Sequence, residues 1–258
     1  MSEFSVSGSN VVVMGAARSG VAAAKLLVRR GARVTLSDLR TTVENADELR
    51  ANDIDLELGG HRMETLQAAD LIVLSPGVSP HQSVVETARR RGMPMISEIE
   101  LAARWLRGRI VAVTGTKGKS TTTVLTGRMF AEGGRNAVIG GNIGTALSSQ
   151  VEESRPDVVH VVEVSSFQLE FIDTFRPWIA VFLNLSPDHL DRHESFQAYV
   201  EAKARIFSNQ TEDDAMVINA DDPRVLEIAR RSRARRCRFS IKSTPNDEIT
   251  VTDNAITR

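Results

Sequence analysis

The chain has 258 residues, with 32 Lys and Arg against 33 Asp and Glu and a formal net charge of −1. That length holds two ordinary domains or one large one, and the near-neutral balance gives no global pull towards nucleic acid or an anionic membrane. Hydrophobic residues make up 41% and charged residues 25%, so a packed core is expected and disorder is not.

A single cysteine, Cys237, excludes an internal disulfide and a Cys-based zinc site. Residues 1–10 are polar and lack a signal-peptide pattern, and no apolar run is long enough to cross a bilayer. A soluble, cytoplasmic protein that binds neither nucleic acid nor membrane is expected.

Apolar runs alternate with helical spacing. Residues 10–14 read as a buried strand. Residues 18–30 carry Val21, Ala24, Leu27 and Val28 at helical intervals, with Gly31 as the stop. Strands are predicted at 33–37 and 70–74, the second ending on the turn Ser75-Pro76-Gly77. A helix follows at 84–91, a short strand at 94–96 and a helix at 98–106, and residues 107–109 read as a linker. The pattern then restarts with a strand at 110–114, a glycine loop at 115–118 and a helix at 119–131, and further strands are predicted at 158–164, 178–183 and 216–218. This alternation implies an α/β fold of parallel sheets covered by helices, with domains at 1–107 and 108–258.

Gly15-Ala16-Ala17-Arg18-Ser19-Gly20 joins the first strand to the first helix, and Asp38 ends the second strand. The pattern resembles the dinucleotide fingerprint. There, glycines let the backbone approach a pyrophosphate at a helix N-terminus, and the acid binds ribose hydroxyls. Ala17 stands where the middle glycine belongs. A ligand-free turn, NAD and a UDP-sugar are all compatible with this loop.

Thr114-Gly115-Thr116-Lys117-Gly118-Lys119-Ser120-Thr121-Thr122 lies between an apolar strand and a helix, the setting a phosphate-binding loop requires. Backbone N–H groups cradle phosphates there, Lys119 neutralises charge, and the Ser120 hydroxyl can ligate Mg²⁺. Gly115 lies three residues before Gly118, where the general Walker pattern has five.

Glu163 ends a β-branched strand, where a carboxylate is costly unless it is paired with an arginine or bound to a metal. Asp188-His189 follows another strand, and reads either as a metal-binding histidine oriented by a carboxylate or as a hydrogen-bonded loop. Lys203 falls among Phe196, Tyr199, Val200 and Phe207, and by spacing alone a solvated or snorkelling lysine is favoured. His61, His81, His160 and His193 read as surface or packing residues. The six arginines of residues 230–238 read as the solvated face and end of a helix running from Pro223.

The loop Gly115 to Thr121 resembles the ATP loop of the Mur ligases and of their relative, folylpolyglutamate synthase. Three further blocks are similar to the Mur family's D-glutamate-adding branch: Gly140-Gly141-Asn142-Ile143-Gly144, the stretch from Glu163 to Glu170, and the stretch from Asn184 to Arg192. Ser120 directly after Lys119, together with the Glu163 block, speaks against folylpolyglutamate synthase.

The resemblance implies a Rossmann-like first domain that binds the UDP part of the substrate through Ala17, Arg18, Ser19, Asp38 and Arg40, with Gly77 nearby. It implies a P-loop-type central domain that holds ATP with Gly115, Thr116, Lys117, Gly118, Lys119, Ser120 and Thr121. Asn142 would contact the muramoyl substrate. Ser120 and Glu163 would bind one Mg²⁺, and His189 and Lys203, the latter as a carbamate, a second. Lys119, His189 and Lys203 would be the catalytic set.

The implied reaction joins D-glutamate to UDP-N-acetylmuramoyl-L-alanine through an acyl-phosphate, with a monomeric enzyme. Lys117 stands where an asparagine is common in this branch. A third, C-terminal domain and a late histidine-asparagine segment of the central domain are also implied. Neither falls within these residues, so the chain is expected to bind the UDP precursor but not to complete ligation alone. The alternatives are an NAD-dependent oxidoreductase, which has no need of the second loop, and a non-catalytic nucleotide-binding fragment.

Overall fold

Val11 and Val13 of strand β1 (Asn10–Met14) face one apolar cluster, and Val12 and Met14 face another, so this strand is buried on both sides. That is the signature of a parallel sheet covered on two faces. The computed structural model describes residues 4–242 and the backbone of 249–252 and 255–257.

The chain divides into two units. The first comprises residues 1–106, 145–153 and 171–173, and the second comprises 107–144, 154–170 and 174–258.

In the first unit β1 is joined by β2 (Arg33–Asp38), β3 (Ile54–Leu58), β4 (Leu71–Leu74) and β5 (Met95–Ser97). The order is β3-β2-β1-β4-β5 and every pairing is parallel. The connections carry α1 (Arg18–Arg29), α2 (Ala46–Ala51), α3 (Met63–Gln67) and α4 (Ser83–Arg90), and α5 (Glu98–Ala103) follows β5. Helix α1 buries Gly20, Ala23, Ala24, Leu26 and Leu27, one face at helical spacing.

In the second unit the strands are β6 (Arg109–Thr114), β7 (Asn136–Gly141), β8 (Val158–Glu163), β9 (Ile179–Phe182), β10 (Ala215–Asn219), β11 (Arg235–Ser240), β12 (Ile249–Thr252) and β13 (Ala255–Thr257). The order is β13-β12-β11-β10-β9-β6-β8-β7, parallel except for β13, which runs antiparallel to β12. Its helices are α6 (Lys119–Glu132), α7 (Ser166–Leu169), α8 (Phe196–Ala204) and α9 (Pro223–Ala229). Val111, Val113, Val159, Val161 and Val181 form its central apolar cluster.

Three features depart from the sequence reading. A single cut at residue 107 assigns residues 145–153 to the second unit, yet they belong with the first. Ser148 N–H donates to the buried Glu98 carboxylate at 2.7 Å, and Glu152 pairs with Arg30 at 3.0 Å. The arginine run does not end a long helix. α9 stops at Ala229, and residues 235–238 enter β11, where backbone pairing of Met216 with Arg236 and of Ile218 with Arg238 sets the conformation. Finally, β3 and β7 lie where periodicity predicts no strand. β3 buries only Ile54 and Glu57, and β7 buries only the two glycines at its end, so their ladders, not their apolar content, define them.

Candidate functional site

The loop after β6 is shaped by two glycines at positive φ, Gly115 (φ 146°) and Gly118 (φ 83°). A side chain at Gly115 would stand 3.0 Å from Leu183 Cβ, so the close approach of the loop to β9 also requires glycine. Asn184 braces the loop from that side: its Oδ1 accepts from the N–H groups of Thr116 and Lys117 at 3.1 and 2.9 Å, and its amide donates to Lys117 O at 3.0 Å. Gly118 caps α6 without a side-chain hydrogen bond, and no acid occupies the first helical turn. This leaves N–H groups and a positive helix end facing outward, suited to an anion. Lys119 Nζ donates to Thr116 O at 2.9 Å, within the same loop.

Glu163 ends β8, beside β6, and is 2% exposed. It is not in an arginine pair. Its Oε2 accepts from the Ser120 hydroxyl at 2.6 Å and its Oε1 from the Asn142 amide at 2.9 Å. Asn142 reaches it because Gly141 (φ 95°) carries no Cβ, which would stand 2.4 Å from Glu163 O. A carboxylate and a hydroxyl at the mouth of a phosphate loop form a donor set of the kind Mg²⁺ takes together with phosphate oxygens. Among the described residues no group of three or more His, Cys, Asp or Glu side chains is arranged to hold a metal.

Lys203 overturns the expectation of a solvated side chain, for it is 2% exposed. Its Nζ lies 3.5 Å from the Thr114 hydroxyl and 4.8 Å from the Tyr199 ring centroid. Burial above all, and then the charge of Lys119, brings its pKa down to about 7. His189 adopts φ 51° and stacks edge-on against Phe167 at 5.2 Å. Its Nε2 is 3.7 Å from Asp188 Oδ2, too long for an orienting hydrogen bond. The loop residues Thr116 to Thr121, Asn142, Glu163, Ser166, His189 and Lys203 line one cavity of about 440 Å³.

His193 lies behind this wall and was not legible as part of it. It is buried, its Nε2 is 2.9 Å from the Ser166 hydroxyl, its Nδ1 is 3.1 Å from Glu170, and it stacks on Phe167 at 5.3 Å. The chain around it has no apolar period, and only its place four residues after His189 hints at a role. His160, by contrast, is a packing residue. It bonds Ser154 at 2.8 Å, and burial pushes its pKa down to about 4.

In the first unit the loop from Gly15 to Gly20 is tight for internal reasons. Gly15 has φ 91°, and a Cβ on Gly20 would stand 1.7 Å from Gly15 O. Ala17 and Arg18 are exposed, Ser19 is half-buried, and no side chain caps α1. Asp38 is committed to the protein itself. Its Oδ2 accepts from Ala16 N–H at 2.6 Å and from Arg40 at 3.0 Å, and its Oδ1 accepts from the Arg40 backbone and Nε at 2.8 and 3.0 Å. Arg40 is half-exposed and so presented outward. Gly77 is exposed, with open space around it.

Comparison with known proteins agrees in both units. The Mur ligase middle domain model matches residues 113–257, and the model of the Mur ligase MurD-like, N-terminal domain matches residues 9–97. The UDP-N-acetylmuramoylalanine–D-glutamate ligase of Acidobacterium capsulatum is 47% identical over 236 residues, covering 90% of this chain and 51% of that protein. The enzyme of that name from Anaeromyxobacter dehalogenans is 50% identical over 229 residues, covering 88% and 49%. The chain thus spans about half the length of the curated relatives it matches.

Among solved structures, the UDP-N-acetylmuramate:L-alanyl-gamma-D-glutamyl-meso-diaminopimelate ligase from Neisseria meningitides superimposes with a TM-score of 0.62 at 18% identity, covering 97% of this chain and 84% of that one. The murein peptide ligase from Psychrobacter arcticus gives 0.58 at 17%, covering 96% and 56%. Both are likenesses of fold. With a middle-domain match over more than half its length and a MurD-like first domain, the chain belongs to the Mur ligase family.

Proposed function

We propose that this chain forms the UDP-substrate-binding and ATP-binding parts of an ATP-dependent ligase that joins D-glutamate to UDP-N-acetylmuramoyl-L-alanine in peptidoglycan synthesis. The observation that carries the reading is the hydrogen bond from Ser120, in the glycine loop, to the buried Glu163 in the cavity that also holds His189 and Lys203. The relatives' names supply the substrates.

In this reading the loop N–H groups and Lys119 hold the ATP phosphates. Ser120 and Glu163 hold one Mg²⁺, with His189 and Lys203 at a second, and the metal supplies charge neutralisation at the phosphates. Lys203 suits conversion to a carbamate. Its nitrogen forms a bond to CO₂ and loses a proton, and an amine with a pKa of about 7 is substantially unprotonated at neutral pH.

The substrate carboxylate attacks the γ-phosphorus, ADP departs, and an acyl-phosphate results. The amine of D-glutamate then attacks the acyl carbon, and phosphate leaves through a tetrahedral intermediate. Positioning and electrostatics carry most of the phosphoryl step. In the first unit the pyrophosphate sits on the N-terminus of α1 beside Ala17, Arg18 and Ser19. Asp38 acts through Arg40 and Ala16, which it holds in place, and Gly77 leaves room for the ligand. We assign the reaction to the cytoplasm and the chain to a monomer. No described helix is long and apolar enough to cross a membrane.

Isothermal titration of the chain with UDP-N-acetylmuramoyl-L-alanine, and separately with ATP and Mg²⁺, tests the reading. NAD is the control. Saturable binding of the UDP compound and of MgATP, with none of NAD, is expected. Binding of NAD without the UDP compound would return the first unit to the oxidoreductase class.

A further inference from the structure

His189 and Lys203 reach the cavity from different elements, and neither is held there by a strong hydrogen bond. The His189 side chain is 47% exposed and stands 3.7 Å from Asp188 Oδ2. Lys203 Nζ meets the Thr114 hydroxyl only at 3.5 Å. What touches each of them is an aromatic ring. Phe167 meets His189 edge-on at 5.2 Å, and Lys203 Nζ lies 4.8 Å from the Tyr199 centroid.

His193 touches both of those rings. It stacks on Phe167 at 5.3 Å with 12° between the planes, and it meets Tyr199 edge-on at 5.3 Å. The imidazole is itself pinned. Its side chain is 1% exposed, its Nε2 is 2.9 Å from the Ser166 hydroxyl, and its Nδ1 is 3.1 Å from Glu170 Oε1. Both ring nitrogens are thus tied to α7 and its C-terminal cap, and the ring cannot turn without losing both partners. The Arg192 guanidinium lies over the same Phe167 ring at 4.4 Å. The backbone adds a second link. The N–H groups of Arg192 and His193 both donate to His189 O, at 2.9 and 3.0 Å, and hold the turn in which His189 takes φ 51°.

We propose, resting on the reading of His189 and Lys203 as ligands of the second metal, that His193 is a positioning residue for that pair. Through Phe167 it sets the direction of His189, and through Tyr199 it sets the place of Lys203. Metal ligands must be held to within about 0.5 Å of the productive geometry, and groups that orient ligands commonly carry about 10- to 100-fold of metal affinity. Ser166 and Glu170 fix the imidazole and act one step further out.

The test is titration of the chain with Mn²⁺ in the presence of ATP, in bicarbonate buffer so that the Lys203 carbamate can form. Electron paramagnetic resonance counts the free ion. The wild type is expected to bind two ions, and His189→Ala to lose the weaker one. His193→Ala should weaken that same ion by about tenfold or more and leave the ion at Ser120 and Glu163 unchanged. His193→Phe keeps a ring between Phe167 and Tyr199 and should recover part of the loss. If His193→Ala does not fold, Phe167→Leu, which removes the ring beside His189, stands in with the same expectation. Equal weakening of both ions would show a general loosening and overturn the positioning role. A folded His193→Ala that keeps the wild-type affinity for the weaker ion overturns it too, and leaves His189 and Lys203 as ligands. A wild type that binds the same number of ions as His189→Ala, with the same affinities, overturns the second metal site itself, and this inference with it.

Discussion

The Ser120 hydroxyl lies 2.6 Å from Glu163 Oε2, and this hydrogen bond joins the glycine loop after β6 to the end of β8. The two residues are 43 positions apart in the chain. Parallel pairing of Val113 with Glu163 brings them together, and the Asn142 amide holds the other carboxylate oxygen at 2.9 Å. The carboxylate is thus oriented before any ligand arrives.

Glu163→Gln keeps the shape of this side chain and removes its charge. The Mg²⁺-dependent part of ATP binding is expected to fall by about tenfold or more, because a charged ligand is worth more than a neutral one. Stability should change by no more than about 1 kcal/mol, since an amide can still hydrogen-bond. Titration with MgATP alongside thermal melting separates the two. Undiminished MgATP affinity would remove Glu163 from the metal site.

Lys203 carries a cost that depends on pH. Its pKa drops from 10.5 to about 7 on folding, chiefly through burial. As pH falls through that window the unfolded chain takes up a proton that the folded chain refuses, so stability declines, and the full penalty stands below about pH 7. Lys203→Met removes the penalty. In CO₂-free buffer its urea midpoint should exceed that of the wild type at pH 7, and the gap should narrow towards pH 10. A variant less stable than the wild type at pH 7 would show that the amine is not desolvated.

Asp38 behaves in the opposite sense. Burial raises its pKa, but hydrogen bonds from Arg40 and Ala16 outweigh this and bring it from 3.8 down to about 2. The stability it contributes is present above pH 3.8 and is lost as pH falls towards 2. Asp38→Asn should be less stable than the wild type at pH 7, and the two should converge as the pH approaches 2. Urea unfolding at pH 7, 4 and 3 follows this directly, and a constant gap would contradict the assignment.

Gly20 and Gly77 offer a matched pair. A Cβ at Gly20 would lie 1.7 Å from Gly15 O and 2.6 Å from Ser75 Oγ, whereas one at Gly77 meets nothing within 4 Å. Gly20→Ala is expected to cost about 3 kcal/mol or more, because the backbone on the far side cannot retreat. Gly77→Ala should melt within a few degrees of the wild type, and any binding defect it shows would then report on the ligand site. Equal melting of the two variants would mean that the loop is looser than this geometry.

The glycine loop from Gly115 to Ser120, the first loop from Gly15 to Gly20 and the buried strands β1, β6 and β8 were legible from the chain alone. Each is a local pattern, in which glycines, a helix start and an apolar run lie within a few residues of one another. Edge strand β3 was not, because it is short and two of its five residues, Asp55 and Glu57, are acidic, which breaks the apolar run. The arginines of β11 misled for a similar reason: charge suggested a solvated helix end, and strand pairing with β10 overrode it.

At the site, the sequence by itself determined which loop could cradle phosphates and that Glu163 needed a partner. Only the tertiary structure decided that the partners are Ser120 and Asn142, that Lys203 is buried beside Thr114, 89 positions away in the chain, and that His193 backs the cavity. The physical reason is range. Backbone propensity is written in neighbouring residues, whereas desolvation and hydrogen-bond partnership depend on groups that only the folded sheet brings within a few ångströms.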